Sequence, residues 1–153
     1  MDITEQDIFK IIGLEVTEEE RLDIESGLYH AAMIEFLDNY LEAVIGKNKL
    51  DELNKKSETE NLTLDALIDL IGKYVTDAGE DMNQEIKAPL NKVYMEFIQD
   101  QIDLLQQTVD GLEANDTKVI KQSLLKTLKD MFSNHQWDQM GDVFRKVDLY
   151  KIA

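Results

Sequence analysis

Apolar residues recur every three to four positions along almost the whole chain, the spacing that lines one face of an α-helix. Leu22, Leu28, Met33, Phe36, Leu37, Tyr40, Leu41 and Val44 trace such a face between Thr17 and Gly46. Thr17-Glu18-Glu19-Glu20 reads as a capping box, in which the hydroxyl and the third carboxylate each satisfy an orphan amide. Its acids also suit the positive end of the helix dipole. The pattern predicts one helix of about 28 residues, ~42 Å long. Ser26 and Gly27 predict a bend or a close helix crossing near residues 25–27.

The other segments follow the same logic. Thr4 and Asp7 precede Ile8, Phe9, Ile11 and Ile12, a short helix that Gly13 can end with positive φ. Past Gly46, a short helix carries Leu50 and Leu53. The polar, aperiodic run 55–61 reads as a linker. Thr63 then caps a helix with Leu64, Leu67, Ile68, Ile71 and Val75, ending near Asp77–Gly79. Pro89 suits a first helical turn, where its missing amide hydrogen has no partner to lose. Behind it Tyr94, Ile98, Ile102, Leu105, Val109 and Leu112 step by 4, 4, 3, 4 and 3, close to a heptad seam. Asn115-Asp116 marks a turn and cap. Val119, Ile120, Leu124, Leu125, Leu128, Met131 and Phe132 follow, and Ser133-Asn134 breaks the pattern before the last segment.

The expected fold is therefore all-α: a bundle of six or seven amphipathic helices, with a C-terminal helical hairpin. Residues 1–56 would form an N-terminal helical hairpin and residues 62–153 a C-terminal bundle, one compact domain with a linker near 55–61. The hairpin is expected between the Pro89 helix and its successor, which a short turn joins. No strictly alternating stretch argues for a strand, and Asp110-Gly111 lies inside a helical pattern.

Composition narrows the class. The chain has 153 residues, 43% hydrophobic and 31% charged, enough to bury a core of ordinary size. It has no cysteine, which excludes disulfides, thiolate metal sites and cysteine nucleophiles. Met1-Asp2-Ile3-Thr4-Glu5 has neither the basic start nor the apolar run of a secretory signal, so a soluble, cytoplasmic protein without membrane contact is expected. The net charge of −16 is uneven. Residues 1–60 carry 16 acids and 6 bases, residues 61–116 carry 12 and 3, and residues 117–153 carry 4 and 7. An acidic bulk repels phosphate backbones, so nucleic acid is not an expected partner.

The stretch Asp7-Ile8-Phe9-Lys10-Ile11-Ile12-Gly13-Leu14-Glu15, with Thr17-Glu18-Glu19-Glu20-Arg21 and the long helix after it, resembles a family of short helical domains of unassigned activity from small-genome candidate-phylum bacteria. The resemblance covers roughly residues 5–55. It implies a short helix, a glycine turn and an acidic capping box before a long helix, and it implies no activity.

Chemistry-bearing patterns are few. His30 and His135 are the two histidines, and neither belongs to a His-Glu-x-x-His or Glu-x-x-His motif. Asp77, Asp81, Asn83 and Glu85 imitate part of a calcium loop. Met82 and Ala88 occupy the positions that need glycine and glutamate. Nucleophile elbows and phosphate-cradling glycine loops are missing. Glu96, Asp100, Asp103 and Asp110 form an acidic stripe, read as a solvated face or as a partner for Lys118, Lys121, Lys126 or Lys129 across the hairpin. Trp137, Met140, Phe144, Val147 and Tyr150 make a bulky terminal stripe that suits either core packing or docking into a partner's groove.

The sequence thus points to a non-enzymatic interaction or accessory bundle that needs no cofactor and binds another protein through an apolar groove or the terminal stripe. Two alternatives stand beside it: an acidic inhibitor or nucleic-acid mimic that binds a basic partner, and a carboxylate-based metal-binding protein. The heptad-like seam also allows a homodimer.

Overall fold

The computed structural model describes residues 2–149, and among them it holds helices and no β-strand. After a 3-10 turn, Ile3–Glu5, come α1 (Ile8–Ile11), α2 (Glu18–Asn39), α3 (Leu41–Ile45), α4 (Lys47–Glu60) and α5 (Leu64–Asp77). They are followed by α6 (Met82–Glu85), α7 (Lys87–Asp110), α8 (Asp116–Ser133) and α9 (Trp137–Leu149). The all-α expectation holds. No helix among the described residues is long and apolar enough to cross a membrane.

Short polar side chains set most helix starts. Asp7 accepts from the Phe9 amide at 3.0 Å, Thr17 from Glu20 at 3.2 Å, Thr63 from Ala66 at 3.2 Å and Asn115 from Lys118 at 3.0 Å. Each satisfies one of the amides that a first turn leaves without an intrahelical partner. Pro89 lies in the first turn of α7, as its missing donor requires.

Two local expectations fail. The long helix neither breaks nor makes a close crossing at residues 25–27: α2 runs through them, and a Cβ at Gly27 would meet nothing within 4 Å. The break comes at Tyr40, whose φ of −123° leaves the helical region, and Leu41 beyond it is fully buried. Burial of Leu28, Ala32, Met33 and Phe36 along the same helix outweighs the weak propensity of Ser26 and Gly27. The run 55–61 is not a linker either, since 55–60 are the last residues of α4. Polarity there reflects exposure, and the stop is conformational. Asn61 sits in the left-handed region at φ 51°, and the Leu62 amide reaches back to the Ser57 carbonyl.

The chain divides into two compact units, but not near 55–61. One unit is the first 23 residues together with the chain from Tyr94 onward, and the other is Ile24–Val93. The boundaries fall inside α2 and α7.

In the first unit the core is built from Ile8, Phe9 and Ile11 of α1, Ile98 and Ile102 of α7, Leu125 and Leu128 of α8, and the apolar face of α9. Here α8 packs on α9, one junction further along than the hairpin expected from the sequence. Between α7 and α8 the link runs through side chains: Lys129 donates to the Gln106 side-chain oxygen at 2.7 Å, and Lys118 to the backbone oxygens of Asp110 and Leu112. The end of α1 crosses α9 with main chain against main chain. A Cβ at Gly13 would lie 2.5 Å from the Gly141 oxygen, and one at Gly141 would lie closer still to the Lys10 oxygen. Gly13 also has φ +65°.

In the second unit α3 packs on α4 and α5, and α4 packs on α5. Its core includes Leu28, Met33 and Phe36 of α2, Leu53 of α4, and Ile71 and Val75 of α5. Lys92 reaches Glu35 at 2.6 Å, and that hydrogen bond holds the Glu35 carboxyl below its ordinary value.

Candidate functional site

The described part of the terminal stripe packs into the core. Trp137, Met140, Phe144 and Val147 are all buried in the first unit, against α8 and α1. Anchors spaced for a partner's groove have the same helical spacing as core residues, and here the groove belongs to the protein itself. Tyr150, the fifth member, lies outside the described residues. The heptad-like seam is covered within the unit in the same way, with Ile98, Ile102 and Val109 buried.

The other singled-out residues have modest local roles. His30 lies 3.5 Å from Asp65, a polar link between α2 and the start of α5. His135 is exposed in the turn before α9, at φ 55°, and stacks on Trp137 with ring centroids 5.0 Å apart. Asp81 caps α6 through the Asn83 amide. Glu96, Asp100, Asp103 and Asp110 are exposed on α7. Asp103 and Asp110 accept from Gln99 and Gln106 of their own helix, at 2.9 and 2.7 Å. Among the described residues no three His, Asp or Glu side chains stand together as metal ligands would.

A cleft of about 430 Å³ opens in the second unit, between the face of α4 that carries Lys49, Glu52 and Lys56 and the face of α5 that carries Lys73, Tyr74 and Asp77. Ile45, Leu70 and Ala78 supply its apolar lining. Positions 49, 52 and 56 step by three and four along α4, and 70, 73, 74 and 77 do so along α5, so each helix presents one face to the gap. Across it the Tyr74 hydroxyl donates to Glu52 Oε1 at 3.1 Å, and Lys49 Nζ lies 3.4 Å from Oε2. The Tyr74 hydrogen bond, followed by the Lys49 charge, holds the Glu52 carboxyl below its ordinary value, and Lys56 adds to this. Burial, then the bond to Glu52, pushes the Tyr74 phenol above its usual value. Near neutral pH one group stays ionised and the other protonated, a fixed polar bridge beside an apolar floor.

The sequence did not single out this cleft. A linker at 55–61 separates Lys56 from the helix that aligns it with Lys49 and Glu52. The signal was a charged stripe facing a second helix across Asn61.

A shallower notch in the first unit surrounds the turn after α1. Arg21 grips Asp7 with both guanidinium arms, at 3.1 and 3.3 Å, and lies 4.6 Å over the Phe9 ring. Partial burial works to raise the Asp7 pKa, but the bonds from Arg21 and the Phe9 amide outweigh it and hold the carboxyl low. Arg145 at the rim is tied to Asp142. These pairings clamp the turn and leave its groups engaged with one another.

Compared with family models, with curated proteins and with solved structures, the chain finds no match. A functional reading therefore rests on the geometry alone.

Proposed function

We propose that this protein acts by binding another protein, as a non-enzymatic helical accessory module, and that the unit Ile24–Val93 presents the surface. The observation that carries the reading is the exposure of two large apolar side chains, Ile34 and Leu64, 47% and 41% exposed, on segments that a polar contact links. The His30–Asp65 link brings their segments together: Ile34 lies one turn beyond His30 on α2, and Leu64 directly precedes Asp65. Exposed large apolar side chains set beside a polar pair match the make-up of an interface centre. The cleft chemistry supports binding over catalysis. General acid–base work is fastest with a group that titrates near the working pH, and Glu52 and Tyr74 are shifted away from neutrality in opposite directions.

A photo-crosslinking residue placed at Ile34 or at Leu64, in the full chain expressed in its own cells, tests this reading. One partner captured from both positions, and not from exposed Val119 of the other unit, is the expected result. Equal capture from all three positions would overturn it.

A second reading is an acidic inhibitor or nucleic-acid mimic. It draws on the exposed stripe of α7, where Asp103 and Asp110 engage glutamines of their own helix. Salt separates the two: a partner held by charge is released steeply between low and physiological ionic strength, and one held by apolar contact is not.

A further inference from the structure

We propose, building on the partner-binding role given above to Ile24–Val93, that the segments around Ile34 and Leu64 take a protein partner whose Lys or Arg residues flank apolar anchors. Between Arg21 and Lys47 the chain has no Lys or Arg, and between Lys56 and Lys73 it again has none. Ile34 falls in the first of these stretches and Leu64 in the second. Residues 22–46 carry 5 acids and residues 57–72 carry 4. Of the 7 bases in residues 24–93, 4 lie on α4, so the positive charge of the unit is set apart from α2 and the start of α5.

The carboxylates stand beside the exposed apolar side chains. Asp38 is exposed one turn beyond Ile34 on α2, Asp65 directly follows Leu64, and Asp69 is exposed one turn beyond Asp65 on α5. Lys92 of α7 comes to this region and is bonded to Glu35 at 2.6 Å. Lys73 stands one turn from Asp69 and lines the cleft. Count both lysines in full, Lys92 against Glu35 and Lys73 against Asp69, and Asp38 and Asp65 remain. Beside Asp65 there is only the His30 imidazole, which is charged only when protonated.

That excess selects the occupant. A second copy binding through the same segments would set carboxylate against carboxylate, and nucleic acid or an anionic lipid surface would be repelled likewise. A partner with Lys or Arg beside its anchors gains twice. Its apolar side chains cover Ile34 and Leu64, and its long basic side chains reach Asp38 and Asp65 while their stems cover more apolar surface. Burial supplies the affinity, and charge chooses among partners.

Amide NMR of the full chain, titrated with three short peptides, tests this. One has leucine and lysine at helical spacing; a second has glutamate in place of lysine; a third has serine in place of leucine. The leucine–lysine peptide should give saturable shifts centred on Ile34 and Leu64, and should bind about ten-fold tighter than either twin, the order of a few exposed charge pairs or one covered apolar side chain. Ile34→Ser should weaken it several-fold. Asp38→Asn should narrow its lead over the glutamate twin, and Asp100→Asn, in the exposed stripe of α7, should leave that lead unchanged. A glutamate or serine twin that binds as well, shifts centred on α7 instead, or an Ile34→Ser variant that binds like the parent would each overturn the proposal. A crosslinked partner whose contact segment lacks Lys and Arg would overturn it too, while leaving the partner-binding role of the unit in place.

Discussion

The two units treat space between their helices in opposite ways. Where α1 meets α9, glycines at 13 and 141 let main chain touch main chain, and no side chain could be inserted. Between α4 and α5, long polar side chains line an open cleft. The first unit places aromatic and branched residues of α9 in its core, whereas the second keeps Lys49, Lys56 and Lys73 along its gap. Helices built by the same periodic rule thus yield a sealed contact in one unit and an open one in the other. The side chains at the crossing, not the helical pattern, make the difference.

The most severe break in this contrast is Met140→Ala. Met140 is fully buried, so the loss of its side chain should cost about 2–5 kcal/mol in urea unfolding. A loss near zero would return the terminal stripe to the surface. Gly141→Ala comes next: its methyl would run into the Lys10 carbonyl oxygen, and overpacking of this kind costs about 1–3 kcal/mol. The loss of a side-chain cap in the second unit, Thr63→Ala, should cost about 1 kcal/mol.

The same substitution as at Gly141 should have the opposite sign at Gly27, which meets nothing within 4 Å inside an unbroken helix. Gly27→Ala should stabilise by about 0.5–1 kcal/mol, and thermal melts of the two glycine variants side by side would show the inversion.

The smallest effect is a pH dependence at Asp7. Its folded-state pKa is lowered, so its contribution is fully present above the unfolded carboxyl value and is lost as pH falls through the folded one. The stability gap between the parent and Asp7→Asn should be constant from neutrality down to about pH 5, then close below about pH 4. A gap that widened on acidification would contradict the Arg21 clamp.

Legibility differed from element to element for physical reasons. Thr17, Thr63, Pro89 and Asn115 announced their helix starts, because capping depends on a side chain and amides within three residues. Gly13 and Gly46 announced stops through positive φ. The α4 extension was missed because a solvated helix has no apolar stripe to reveal it, and Asn61 can stop a helix as glycine does. The terminal stripe was legible as apolar but not as covered. The cleft was hidden for a related reason: Glu52 and Tyr74 stand 22 positions apart, and nothing near either one names the other.

By itself the sequence determined that the chain is helical, where most helices begin, and which residues on each are apolar. These are short-range properties, set by the backbone and by neighbours three or four positions away. Only the tertiary structure decided that α9 closes on α8 and α1, that the chain turns at Tyr40 to bury Leu41, and that three lysines gather at one gap. Each of those outcomes depends on burial shared between segments distant in the chain, and a helical period carries no record of which face will cover it.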